Sequence, residues 1–527
     1  MRPSRCGVSE GNAAAAVVAG IEAQARQRFG GAQARPARAN RARWPPRSRP
    51  CHNRPRRRRA AESAGARRAI PSLHSRTRGV EPVTHPPAAT LPLSHLLPPG
   101  AALTREGHLA LGGCDALALA REFGTPLYVY DRRGLREQCA AYRQAFAAEY
   151  SDSTVLYASK AFLNRPFARF IHEQGLGFDV VSGGEIEVLR AAGVPLEQVY
   201  FHGNNKSAEE LALAVEAGVG RVVIDNLGEV ALLHAAASAA GKRQRVLLRV
   251  SPGVDAHTHE KTTTGILDTK FGVPIATGAA EAALRAILDA PALEFRGLHM
   301  HLGSPIFELE PYALGIEALA RFIAEVCRDR LGVAVAECSP GGGFAVAYLE
   351  AQQPPSPAEY ARVICGTLRR EAERLGFPLP HLSVEPGRSI VGRAGVALYT
   401  VGARKEVAGV RTYVAVDGGM ADNIRPAMYG ARYEALSAER PLAAAEETVT
   451  IAGKYCESGD LLVRDARLPR LRAGEVLAIP AAGAYQLAMA SNYNLAYKPA
   501  VVLVENGAAR LIRRRERPAD LMSLDVD

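Results

Sequence analysis

The stretch "STVLYASKAFLN" (residues 153–164) ends an apolar run of strand length on a lysine. Such a run reads as a strand buried on both faces. Desolvating an ammonium is costly, and burial lowers a lysine pKa by up to ~3–5 units. Lys160 is therefore either a wet surface tip or a residue used as a neutral amine, and the rest of the chain decides between them.

The run is the first of eight. "GFDVV" (177–181), "QVYFH" (198–202), "RVVID" (221–225), "RVLLRV" (245–250), "FRGLHM" (295–300), "VAVAEC" (333–338) and "HLSVE" (381–385) follow it. Helical patterns such as "SAEELALAVEAG" lie between them, and that alternation is the signature of βα units around a parallel sheet. Eight runs over roughly 230 residues match the ~250 of a (β/α)8, TIM-like barrel, giving an α/β fold over 131–395. From 396 to 527, "VALYTVGARKEV", "RTYVAVDGG", "ETVTIAGKYC" and "PAVVLVENGAARLIRR" read as strands with little helix, a second, β-rich domain. The segment 101–130 is a candidate to lend that domain a strand.

The net charge of +11 misleads. Residues 1–100 hold 19 arginines and no lysine against 4 glutamates, a net of +15, so the remainder carries −4. The prefix 1–90 is rich in Ala, Arg and Pro without a sustained period and is expected to be disordered. A nucleic-acid arm or a targeting peptide would have this composition. The preferred expectation is an over-extended start: no methionine stands between Met1 and Met300, so translation would begin at a non-standard codon near Val83. There is no signal-peptide pattern and no apolar run of membrane-spanning length. The eight cysteines are scattered without CxxC or metal-ligand spacing, which suits free thiols in the cytoplasm and predicts no metal site.

A barrel of this kind places chemistry at the carboxyl ends of its strands. Here those ends carry Lys160, Asp179, "HGNN" (202–205), "HLGS" (301–304), "PGGGF" (340–344) and "EPGR" (385–388). Each has a plainer reading: three glycines make a turn, a core histidine is satisfied, a glutamate before Pro-Gly caps a loop. Collected on one rim, an amine, an imidazole, a carboxylate and a phosphate cradle describe a site for a phosphorylated aldehyde cofactor held by a lysine.

The ordered set "YASKAFLN", "GFDVVSGGEIE", "HMHLGSPI", "SPGGGF", "EPGRSIVG", "DGGMADNIRPAMYGARY", "CESGD" and "GAYQLAMASNYN" resembles the fold-type III pyridoxal-phosphate decarboxylases, most closely the diaminopimelate decarboxylases, from about residue 100 onward. The resemblance implies that Lys160 holds pyridoxal 5'-phosphate as a Schiff base and that Glu385 pairs with the pyridine nitrogen. By the same resemblance His301 stacks on the ring and Asp179 is a polar neighbour. Gly343, Ser304 and Arg388 hold the phosphate, with a hydroxyl from Tyr485, and Gly341, Gly342, Pro386 and Gly387 are further cofactor-binding residues. Arg425, Tyr429, Arg388, Tyr485 and Glu457 select a small amino-acid substrate, since an arginine fork matches a carboxylate and Glu457 an ammonium. Cys456 returns a proton after CO2 leaves, against the plainer reading of a small buried hydrophobe.

The implied activity is decarboxylation of meso-2,6-diaminopimelate to L-lysine, the last step of lysine biosynthesis. It would run in a homodimer with shared active sites: Lys160 from one subunit, Cys456 and Glu457 from the other. Neither nucleic acid nor membrane is an expected partner. Pro305 stands where the resemblance leads one to expect glutamine, and 259–272 is a looser version of the usual loop. The alternative is another decarboxylase of this fold type, acting on ornithine, arginine or a close diaminopimelate analogue. Arg425 and the "CESGD" form argue against a diamine product.

Overall fold

Strand order and side-chain parity place the site. The computed structural model of the protein describes residues 91–256, 265 and 268–526. The expected disordered prefix lies outside the described residues, as does most of the 257–267 segment.

The barrel strands are β1 (Ser153–Ala158), β2 (Gly177–Val180), β3 (Val199–Phe201), β4 (Arg221–Ile224), β5 (Gln244–Ser251), β6 (Leu293–His299), β7 (Glu337–Ser339) and β8 (His381–Val384). Each pairs in parallel with the next, and β8 pairs with β1 through Leu382–Ser153 to Val384–Val155, so the sheet closes. Helices connect the strands, among them Arg165–Glu173, Gly183–Ala192, Ala208–Ala217 and Leu227–Ala239, with caps that the sequence supplies. Asn164, Ser182, Ser207 and Asn226 each accept a backbone N–H from the first turn, satisfying a donor that the helix itself leaves open. The seventh strand differs from expectation: only Glu337–Ser339 is strand, and of the residues before it Ala336 alone bonds both neighbours, donating to Arg296 O at 2.9 Å and accepting from the His381 N–H at 2.8 Å.

Alternation along the strands sorts two sets of side chains. Val155, Tyr157, Phe178, Phe201, Val222, Val246 and Leu248 join the core shared with the surrounding helices. Leu156, Tyr200, Val223 and Leu247 form a separate buried cluster, the plug inside the barrel. Steps of two from that plug toward the carboxyl ends reach Ala158 and Lys160, His202, Asp225 and Arg249. On the other strands the same parity holds Asp179, His299 with His301, Ser339 and Glu385. A period of two thus aims every one of these groups at the barrel mouth.

Beside the barrel is a β-rich region. The strand Leu127–Asp131 pairs antiparallel with Gly395–Val407 and parallel with Ala500–Glu505. Leu127, Val129, Val396, Leu398, Val476 and Val502 bury one face of this sheet in its own cluster. The strands Arg411–Val416, Glu447–Ala452 and Leu461–Leu468 extend it. No helix among the described residues is long and apolar enough to cross a membrane.

Candidate active site

Lys160 follows β1 in a single 3-10 turn, Ser159–Ala161. Its Nζ stands 3.5 Å from Asp179 Oδ2, with 40% of the lysine side chain open and the aspartate 1% exposed. The neighbours of Lys160 answer the opening question. Burial pulls the lysine pKa down, as expected, but Asp179, Tyr485 and Glu385 together outweigh it and hold the group above its ordinary value. These neighbours favour the ammonium over the neutral amine. Asp179 is lifted by burial to about 6 against the pull of Lys160, and neither of its oxygens has a hydrogen-bond partner among the described residues.

His301 accepts the Gly342 N–H at Nδ1, 3.2 Å away. Burial, Lys160 and Arg249 hold its pKa well below the usual histidine range, so the ring is neutral. Glu385 is buried, accepts from Ser339 Oγ at 3.1 Å, and lies 3.2 Å from His299 Nε2. Burial opposes its ionisation, and His299, His202 and Lys160 override it, holding the carboxyl well below the ordinary range. The arrangement is a carboxylate facing an ammonium across a small cavity of about 50 Å³, whose lining includes Lys160, His301, Ser304, Gly342, Gly343, Glu385, Gly387, Arg388 and Tyr485.

The glycines are required where the backbones crowd. A Cβ on Gly342 would meet Glu385 O at 2.1 Å, and one on Gly343, at φ +99°, would meet Gly303 O at 2.4 Å. Gly387 lies against Ala158, and Pro386 O accepts the Ala158 N–H at 3.2 Å, tying this turn to the strand that carries Lys160. Arg388 donates through Nε to Ser304 Oγ at 3.2 Å and through NH1 to Tyr348 Oη at 2.8 Å. Its guanidinium lies 4.8 Å from the Tyr485 ring centroid. Tyr485 is held at φ +60°, an uncommon conformation for a bulky residue, and its N–H bonds Ala161 O at 2.9 Å, one residue from the lysine.

A wider cavity of about 410 Å³ shares Ser304, Arg388 and Tyr485 with the inner one and adds Tyr348, Arg425 and Tyr429. Pro305 lines it too. Arg425 is buried, sits 4.8 Å over the Tyr348 ring and donates to Tyr433 Oη. The phenol of Tyr348 thus lies between two guanidiniums. Burial raises its pKa, and Arg388 and Arg425 overcome that to bring it below the ordinary tyrosine value.

Cys456 and Glu457 are not brought to either cavity. Both are exposed: the Cys456 N–H bonds Asn494 Oδ1 at 3.2 Å, and Glu457 accepts from Tyr493 Oη at 2.6 Å. Cys456 is the only exposed cysteine among the described ones, which removes the buried-hydrophobe reading.

The sequence reading noted His202 only as the start of "HGNN", gave it no role, and passed over Arg249, His299, Tyr348 and Tyr433. The first three were findable, since each stands two residues beyond a plug position or two before His301. The tyrosines carried no such mark. His202, His299 and Glu385 are also the one described group whose donor atoms, within 4.8 Å of one another, could surround a metal ion; the two imidazoles lie 3.4 and 3.2 Å from the carboxylate.

The donor set fits pyridoxal phosphate. An amine for an aldehyde, an ionised carboxylate for a ring nitrogen, a glycine turn with serine and arginine for a phosphate, and an aspartate whose buried oxygens lack partners line one small cavity or border it. Residues 132–392 match the pyridoxal-dependent decarboxylase, pyridoxal binding domain family. The diaminopimelate decarboxylase of Bacillus subtilis is 47% identical over 422 residues, covering 80% of this chain and 96% of its own length. That of Mycobacterium tuberculosis is 43% identical, with 80% and 95% covered. The structure of diaminopimelate decarboxylase from M. jannaschii in co-complex with L-lysine superposes with a TM-score of 0.76 at 33% identity, covering 81% of this chain and 98% of that one. The chain belongs to the diaminopimelate decarboxylase family of pyridoxal-dependent decarboxylases.

Proposed function

We propose that the protein decarboxylates meso-2,6-diaminopimelate to L-lysine, working in the cytoplasm. The observation that carries this is the wider cavity, where Arg388 and Arg425 converge on Tyr348 beside the lysine-bearing cavity. Two guanidiniums suit a substrate with a carboxylate beyond the one that is lost. A substrate ending in a bare amine would leave the buried Arg425 without a counter-ion.

Pyridoxal phosphate, when bound, supplies a ring that takes up the electron pair released as CO2 departs. The chain's own residues do the rest. Lys160 supplies the amine that anchors the aldehyde, with Asp179 holding its ammonium until a proton is given up. Glu385 presents an anion to the ring nitrogen, and the neutral His301 ring offers a face without adding charge. Ser304, Gly341, Gly342, Gly343, Gly387 and Arg388 would hold the phosphate, and Tyr485, which lines both cavities, would offer its hydroxyl there. Arg425 and Tyr429 orient the distal carboxylate.

Cys456 would protonate the carbon that has lost CO2, and Glu457 would bind the distal ammonium. Because both are exposed and away from Lys160, we assign them to the site of a second copy in a homodimer. The surface beside them supports this: Tyr493, Leu495 and Tyr497 are 36%, 73% and 43% exposed, an apolar rim next to the loop that carries Cys456.

The test is a panel of amino acids incubated with purified protein and pyridoxal phosphate, with CO2 and product measured. Diaminopimelate should give equal amounts of CO2 and lysine. Turnover of ornithine or arginine with diaminopimelate inert would overturn the assignment.

A further inference from the structure

Glu385 receives groups from three strands. His299 Nε2, at the end of β6, lies 3.2 Å from both carboxylate oxygens. Ser339 Oγ, at the end of β7, donates to Oε1 at 3.1 Å, and the same hydroxyl accepts the Gly341 N–H at 3.1 Å, so its own proton points to Glu385. His202 Nε2, after β3, stands 3.4 Å from Oε1. The two imidazoles meet edge to face with centroids 4.8 Å apart. His202, His299, Ser339 and Glu385 are all at most 5% exposed.

The partner pattern fixes the direction of the main bond. Among the described residues His299 Nδ1 has no hydrogen-bond partner. With the proton on Nε2, Nδ1 is a bare lone pair, which costs less than an orphaned buried N–H. His299 therefore donates to Glu385, as Ser339 does. A neutral Glu385 would have to turn a proton toward one of these donors and lose a bond. His202 Nε2 is likewise without a hydrogen bond, and the nearest group it faces is the carboxylate. The remaining charged or titratable groups that bear on Glu385 are Lys160, Arg249, Asp179, His301 and Tyr200.

We propose that His299, backed by His202 and Ser339, is a positioning residue that keeps Glu385 an aimed anion before the cofactor arrives, so that the ring nitrogen meets a ready acceptor. The inference rests on the reading of Glu385 as the partner of that nitrogen. It also links the glycine turn to the carboxylate, because Ser339 bonds both.

Infrared difference spectroscopy of the cofactor-free, full-length protein at neutral pH tests it. In His299→Phe a protonated-carboxyl stretch should appear that the parent lacks and that vanishes when Glu385→Gln is added. The dissociation constant for pyridoxal phosphate should rise at least tenfold, and His299→Gln, which keeps an N–H near the Nε2 position, should bring it back within threefold. If His299→Phe fails to fold by circular dichroism, His299→Asn and His202→Phe carry the same two readouts. Absence of the carboxyl band together with a dissociation constant within twofold of the parent overturns the proposal. Glu385→Gln alone separates the two claims. If that variant binds pyridoxal phosphate with unchanged affinity and spectrum while His299→Phe still shows the band, the ring-nitrogen reading fails and the effect of His299 stands.

Discussion

Lys160 and Cys456 sit in surroundings of opposite kinds. The lysine follows a barrel strand and faces a small cavity lined from the ends of four of the eight strands, β1, β6, β7 and β8, and by Tyr485. The cysteine rides on the 453–460 loop of the β-rich region and points outward. That loop is firmly based all the same. Asp460 accepts the N–H groups of Met420 at 2.6 Å and Tyr455 at 2.9 Å, and a Cβ on Gly419 or Gly453 would strike its carboxylate at 2.5 or 2.1 Å. A fixed base with an exposed, chemically capable tip describes a surface prepared for something outside the chain. On the proposed reading, one copy would hold the groups for the cofactor while Cys456 and Glu457 would serve the site of a second copy.

The largest effect should come from the enclosed half. Lys160→Ala should lower kcat by ~10⁴-fold or more, the scale on which removal of a covalent catalytic group acts. Borohydride should fix the cofactor of the parent to the peptide that contains Lys160, as peptide mass mapping would show. An adduct on another lysine would undo the comparison at its root.

Next comes the exposed half. Cys456→Ala should reduce kcat by ~10²–10⁴-fold, the usual contribution of a positioned acid, while the visible spectrum of the bound cofactor stays as in the parent. A variant with parental kcat would make the loop a bystander.

Between the halves lies Arg425. Its replacement by alanine should weaken kcat/KM for diaminopimelate by an amount equivalent to ~2–5 kcal/mol, the cost of leaving a buried charged partner unpaired. Most of that loss should appear in KM. Steady-state kinetics with an unchanged KM would remove the arginine from substrate selection.

The smallest signal is the most pointed. Mixing inactive Lys160→Ala and Cys456→Ala proteins under subunit exchange should restore about a quarter of wild-type sites, since random pairing puts about half the chains in mixed dimers with one intact site each. If native mass spectrometry shows exchange and activity stays at the level of the separate variants, both residues act within one chain.

Much of the barrel was legible because its signals are local. Seven of the eight apolar runs lie within two residues of the observed strands, and the polar strand ends Lys160, Asp179, His301, Gly341 to Gly343 and Glu385 do gather at one mouth. The seventh strand was read too early because "VAVAEC" is apolar from Val333, whereas a ladder partner exists only from Glu337. His299 went unnoticed because "HMH" places two histidines on one face, and only the sheet shows that the first of them meets Glu385.

By itself the sequence determined the alternation that closes eight strands into a barrel, the chemistry at their ends and the family to which the chain belongs, since all of these are written in periodicity and in short, ordered motifs. Tertiary structure decided what depends on sums over distant neighbours. The charge on Lys160 is held because Asp179, Tyr485 and Glu385 act against burial from three separate segments. The encirclement of Glu385 by residues 202, 299 and 339 and the outward setting of Cys456 belong to the same class. A pKa and a direction in space are properties of the packed assembly of strands, and no single stretch of the chain contains them.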